Sequence, residues 1–159
     1  MRKVITHDNI PKYSAFFSCS MTGLADDAKN EIYDFLLSLE NECKKIVSPE
    51  FQAFIPYREE DCFDFQEPRD YYELDTMAVK KSKVFIVFDF HQMYSYGVGV
   101  EAKTADDSDK PILLASTKPQ ELSVMLRGMR NIKSIIQLNG AKQESIDMIA
   151  NAIKLCLEE

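Results

Sequence analysis

No apolar stretch in this chain of 159 residues approaches the roughly 20 needed to cross a bilayer. The N-terminus also lacks the apolar core and small-residue cleavage site of a secretory signal. Both absences lead us to expect a cytoplasmic protein with no membrane partner. Basic charge is short as well. Lys and Arg number 19 against 26 Asp and Glu, a formal net charge of −7, which argues against a nucleic-acid polymer as the main partner. A small anion can still bind at a local site. Cys19, Cys43, Cys62 and Cys156 form no C-x-x-C pair, and the histidines are His7 and His91. That spacing fits reduced thiols better than a disulfide frame or a zinc site, so we expect no metal and no cofactor. A Walker A lysine pattern and a full G-x-G-x-x-G are both missing, which removes support for an NTPase or a dehydrogenase.

Apolar residues at 45% and charged residues at 28% are ordinary for a globular chain, and the length suits one domain over 1–159. Residues 1–13 carry little signal beyond Val4-Ile5, a brief edge strand or an N-terminal extension. A strand is predicted over 15–19. A helix opens at Asp26-Asp27, with Ala28, Ile32, Phe35, Leu36, Leu39 and Cys43 on one face. A second strand is predicted over 51–55, and an acidic, aromatic loop over 57–68. A helix over 69–81 places Tyr71, Leu74 and Ala78 on one side, with Asp75 bordering them. Strands over 83–89, 112–115 and 132–138 follow, separated by helices over 97–105 and 117–128 and closed by a last helix after Asn139-Gly140. Strict alternation of strands and helices argues for an α/β fold. We expect a single Rossmann-like (flavodoxin-like) three-layer domain with a five-stranded, mostly parallel sheet, whose ligands bind beyond the strand ends.

One strand end holds the most chemistry. Val84-Phe85-Ile86-Val87-Phe88 leads to Ser95-Tyr96-Gly97-Val98-Gly99-Val100-Glu101, read as a turn entering a helix. Gly97 and Gly99 let a ligand approach the backbone, the helix start favours an anion, and Glu101 is expected in the first turn. An ordinary helix acid fits Glu101 too. His91 reads as a surface-loop histidine, and Ser20, at an earlier strand end, as a turn residue.

Phe16 to Gly23 resembles the first strand and turn of the nucleoside 2-deoxyribosyltransferase superfamily, most closely its branch of 2'-deoxynucleoside 5'-phosphate N-hydrolases. Ser95 to Glu101 resembles that branch's S-x-G-V-G-x-E segment, and Leu122-Ser123-Val124-Met125-Leu126-Arg127-Gly128 its L-S-x-M-I-R-G segment. Tyr72-Glu73-Leu74-Asp75 resembles the family's helix with a site Asp. The resemblance implies cleavage of the N-glycosidic bond of a (deoxy)nucleoside 5'-monophosphate. Glu101 is then the carboxylate at the anomeric carbon and Asp75 its acid–base partner. Ser20, Ser95, Gly97, Gly99 and Ser123 would bind substrate, together with Phe16 and Thr22. It further implies a homodimer in which Ser123 reaches the neighbouring subunit's site. Two positions depart: Phe16 replaces a tyrosine and Thr22 an arginine, which removes a hydroxyl and a bidentate phosphate donor. Arg58, Arg69 and Arg127 are the residues that could replace the cation. A deoxyribosyltransferase, a non-catalytic nucleotide sensor and an NAD hydrolase remain open as alternatives.

Overall fold

The apolar run at 84–88 becomes the middle of the sheet because it has no polar side to turn toward water. In the computed structural model, which describes residues 1–90 and 95–159, this strand pairs in parallel with a neighbour on each side. The strands are β1 (Tyr13–Cys19), β2 (Ala53–Phe54), β3 (Ser82–Asp89), β4 (Ile112–Ser116) and β5 (Ile132–Gln137), in spatial order β2-β1-β3-β4-β5. All four pairings are parallel. That is the doubly wound order of a flavodoxin-like sheet, whose direction of winding reverses between β1 and β3, where ligands bind in such folds.

The helices are α1 (Asp26–Ile46), α2 (Pro56–Glu60), α3 (Pro68–Lys80), α4 (Tyr96–Asp107), α5 (Val124–Arg127) and α6 (Gln143–Glu158). They sort into two layers by the pleat. Ala15, Phe17, Ile86 and Leu113 face α1 and α6, where Ile32, Phe35, Leu36, Leu39 and Cys43 form the predicted stripe. Phe16, Phe85, Val87 and Leu114 face the other way, against Leu74 and Ala78 of α3 and Val98, Ala102 and Ala105 of α4. Among the described residues no helix is long and apolar enough to cross a membrane.

Several local expectations change. Val4-Ile5 forms no strand. Lys3 instead makes one bridge to Phe63, with Lys3 N–H donating to Cys62 and Asp64 N–H donating back to Lys3. The 51–55 strand shrinks to two residues. The loop expected from 57 begins as α2, which Pro56 opens with its fixed φ; five residues are too few to show a period. Tyr71 leaves the side it was expected to share with Leu74 and Ala78, 47% exposed, and stacks on Phe65 instead. The helix over 117–128 splits into a 3-10 turn at Pro119–Glu121 and the short α5. Leu122 turns away at ψ 144° to bury its side chain, so Ser123 is the cap of α5, not a mid-helix residue. His91 lies outside the described residues.

Candidate functional site

Alternation along β1 sends Phe16, Ser18 and Ser20 toward the α3–α4 layer. Phe16 is fully buried, stacked on Phe54 at 4.7 Å and on Phe85 at 5.5 Å. It is part of the core and offers no surface to a ligand, so the expectation that it binds substrate is corrected. The next residue on that face, Ser18, brings a hydroxyl to the acid instead. Its hydroxyl donates to Glu101 Oε1 at 2.9 Å, from the end of β1 into the helix layer. Ser20 follows, 5% exposed, and its Oγ accepts the Thr22 N–H at 3.4 Å.

Glu101 reaches this spot from α4. Ser95 caps that helix, its Oγ accepting the Val98 N–H at 3.3 Å. The glycines therefore lie inside the first turn, and Glu101 falls in the second, where the helix-dipole explanation loses its force. Glu101 is 6% exposed. Asp75, half-buried, comes from α3, which packs beside α4. Tyr57 and Glu60 come from α2; three residues apart, they share one face of its single turn. Ser18, Tyr57 and Glu60 were not identified from the sequence. The usable signals were a serine in phase with Ser20 on an aromatic strand, and an i, i+3 pair directly after Pro56.

The electrostatics of this corner are one-sided. Burial raises the Glu101 carboxyl well above its ordinary range, the charge of Asp75 adds to that, and the Ser18 hydroxyl opposes it. Asp75 is pushed up to about 7 by burial and by Glu60. Glu60 is itself raised, by burial and by Asp61, and the Tyr57 phenol is raised by burial and by the surrounding acids. Among the described residues no Lys or Arg pairs with Asp75, Glu101 or Glu60. Arg58, close in sequence, is spent elsewhere, holding Glu40 with two bonds of 2.7 and 2.9 Å. Arg69 pairs with Glu73, and the Arg127 Nε donates to the Leu122 carbonyl. Thr22 is exposed and brings no cation. Two interacting carboxyls without a counter-ion retain a proton near neutrality. The corner can thus present a carboxylate and a proton side by side.

The remaining predicted residues gather elsewhere. Ser95, Gly99 and Ser123 line a groove of about 780 Å³ that also includes Val100 and Met125, on the outer side of α4. Neither Glu101 nor Asp75 lines it. A Cβ on Gly99 would meet nothing within 4 Å, and one on Gly97 would meet only Ser95 Oγ at 3.5 Å. Packing among the described residues therefore does not require glycine at either position. The sequence-predicted set is split by α4 into an inner acid corner and an outer groove.

No protein-family model and no curated protein matches this chain. Solved structures do. The CMP N-glycosidase BcmB of Clostridium botulinum is 22% identical, with a TM-score of 0.58, over 86% of this chain and 98% of that one. The solution structure of BlsM is 19% identical, with a TM-score of 0.64, over 94% of each chain. At this level of identity the likeness shows a shared fold.

Proposed function

We propose that this chain is an N-glycosidase acting on (deoxy)nucleoside 5'-monophosphates. The observation that carries the reading is the buried Ser18–Glu101 hydrogen bond beside an Asp75 held near neutral pKa, with no counter-ion among the described residues. The shared fold with a protein described as a CMP N-glycosidase supports it. Cleaving a glycosidic bond builds positive charge on the sugar and leaves an electron pair on the base nitrogen. A preplaced carboxylate stabilises the first, more strongly in the transition state than in the ground state, and a proton from a group titrating near 7 satisfies the second. Glu101 faces the sugar; the Glu101–Asp75 pair shares one proton, and the Ser18 hydroxyl favours the arrangement in which Glu101 is ionised and Asp75 holds it. Asp75 passes the proton to the departing base. Water then bonds to the anomeric carbon and gives its proton to the Asp75 carboxylate, completing the sugar 5-phosphate and restoring the acid.

Ser20, Ser95 and Gly97, near the start of α4, hold the phosphate in this reading, joined by the Ser123 of a second copy, and Gly99 keeps the wall of the groove open. A homodimer completes the site. The outer groove exposes Tyr96, Val100 and Met125 beside the exposed Val124, and a second copy seated there brings its Ser123 toward the neighbouring pocket. Met125→Glu is expected to shift the mass in solution from dimer to monomer and to lower base release with it. The exposed Thr22 in place of a cation favours one second reading, a transferase working on unphosphorylated nucleosides. Offering a free base as acceptor separates the two, because only a transferase forms the exchanged nucleoside. The direct test is release of free base from a panel of nucleosides and their 5'-monophosphates. Release that requires the 5'-phosphate and is lost in Glu101→Gln is expected; turnover unchanged in Glu101→Gln would reject the assignment.

A further inference from the structure

The face of the sheet that carries Ser18 has a second polar row, one step nearer the strand ends. Val87 and Leu114 on that face are buried and apolar, and the next residues in phase are Asp89 on β3 and Ser116 on β4. These two are register partners, and both are buried. The register that sets Cys19 opposite Phe88 brings Ser20 to the level of Asp89, so the row crosses the ends of β1, β3 and β4. The Ser116 hydroxyl donates to Asp89 Oδ2 at 2.7 Å, and its oxygen accepts the Lys118 N–H at 3.0 Å. The Asp89 carbonyl takes the Thr117 N–H at 3.0 Å. A buried carboxylate thus holds the chain where it leaves β4. Packing alone does not call for one, because Val87 and Leu114 fill the preceding step without it and burying a carboxylate is costly.

The segment beyond that hold is short and pinned. The Glu121 N–H donates to the Lys118 carbonyl at 2.9 Å, Leu122 buries its side chain, and Arg127 Nε donates to the Leu122 carbonyl at 3.1 Å. Ser123 comes directly after. Its Oγ accepts the Met125 N–H at 3.2 Å, which leaves its own O–H to donate to a ligand. It lines the outer groove together with Ser95. Every link from Asp89 to Ser123 is a hydrogen bond or a peptide bond.

We propose that Asp89, acting through Ser116, is a positioning residue for the neighbouring subunit's phosphate site, because it sets where Ser123 stands. This rests on the glycosidase and dimer reading given above and deepens it. The ligand is a phosphomonoester, whose oxygens accept the Ser123 O–H across the interface. Asp89 acts at one remove from the substrate. Without the Asp89–Ser116 bond the turn after β4 loosens, and Ser123 loses its place while Glu101 and Asp75 of the same subunit keep theirs. Such a loss falls on binding common to ground and transition states, so it raises KM and leaves kcat nearly unchanged.

The test measures base release from a nucleoside 5'-monophosphate in Ser116→Ala, Asp89→Ala and Asp89→Asn. In the two alanine variants KM is expected to rise about tenfold, the loss of one hydrogen bond to a charged group, with kcat per folded molecule within about threefold of wild type. Asp89→Asn keeps an oxygen that accepts the Ser116 hydroxyl, and its KM should stay within about threefold of wild type. Mixing supplies a readout that a purely structural role would not move. An excess of Glu101→Gln protein draws the Ser116→Ala subunits into hybrid dimers, where their intact Glu101 works beside Ser123 of the partner subunit. KM should then return to within about twofold of wild type. A KM unchanged by mixing, or raised as far in Asp89→Asn as in Asp89→Ala, overturns the proposal. Alanine variants that fail to fold assign the pair to the fold and overturn it as well. Wild-type protein that releases no base from any nucleotide refutes the glycosidase reading instead, and wild-type protein that is monomeric in solution refutes the dimer.

Discussion

Glu40 and Glu101 are almost equally buried, 4% and 6% exposed, yet their surroundings are opposite. Burial alone would raise both. At Glu40 two guanidinium bonds from Arg58, the Ala53 N–H at 2.9 Å and the charges of Arg58 and Lys44 overcome burial, and the carboxyl is held below its usual range. At Glu101 one serine hydroxyl is set against burial and the charge of Asp75, and the carboxyl is held above it. Burial therefore does not separate the two acids. What separates them, among the described residues, is the missing counter-charge at Glu101. α2 separates the two corners, with Arg58 serving the first and Tyr57 and Glu60 the second.

The widest gap between the corners should appear on mutation. Glu40→Gln leaves the Arg58 guanidinium partly buried and underpaired, which is expected to cost about 3 kcal/mol in urea unfolding. Base release per folded molecule should be nearly unchanged, and a large loss of turnover in the folded fraction would blur the distinction drawn here. Asp75→Asn acts inversely. Its release of base should fall about a hundredfold. Wild-type turnover should decline as pH rises through about 7, where Asp75 loses its proton, and that limb should be absent from the residual activity of the variant. A pH profile of the same shape in both proteins would remove Asp75 from the proton path.

Smaller effects concern stability against pH, where the two corners carry opposite signs. Glu40 is depressed on folding, so its contribution is present above the unfolded carboxylate pKa and lost as pH falls through the folded value. Asp75 is raised, so between about pH 4 and 7 the native state binds more protons than the unfolded chain, and stability falls as pH rises across that window. Asp75→Asn should consequently gain on the order of 1 kcal/mol at pH 8 and nothing near pH 4, measured by thermal melting. Smallest of all, deleting residues 1–6 removes the two backbone bonds that tie Lys3 to the exit of α2, a loss of about 1–2 kcal/mol. If those bonds hold Tyr57 and Glu60 in place, KM rises while the Glu40–Arg58 corner stays intact.

The sheet was legible because its strands are long apolar runs and its main helices have an unbroken 3.6-residue stripe, as at Ile32 to Cys43. α2 was not, because a five-residue helix gives the pattern no second turn to repeat in. Ser123 was misplaced for a related reason. Thr117, Pro119 and Gly128 are sound start and stop signals, but burial of Leu122 interrupts the helix between them. Glu101 and Asp75, which the structure brings into one corner, were singled out by the order of their segments along the chain, whereas Ser18 becomes visible only when the pleat of β1 aims it at α4. Which side of α4 each predicted residue occupies is a tertiary fact: Ser95, Gly99 and Ser123 line the outer groove, and Glu101 lies within.

The most direct test joins activity and stability in one protein. Glu101→Gln, assayed for base release and melted at pH 8 in the same preparation, should lose release by about a thousandfold, as expected for removal of a group that meets charge in the transition state. It should melt at or above the wild-type midpoint, because the substitution removes a buried acid that no cation compensates. A variant that still releases base, or that melts several degrees lower, would contradict the account and place Glu101 with Glu40 among the residues that hold the fold.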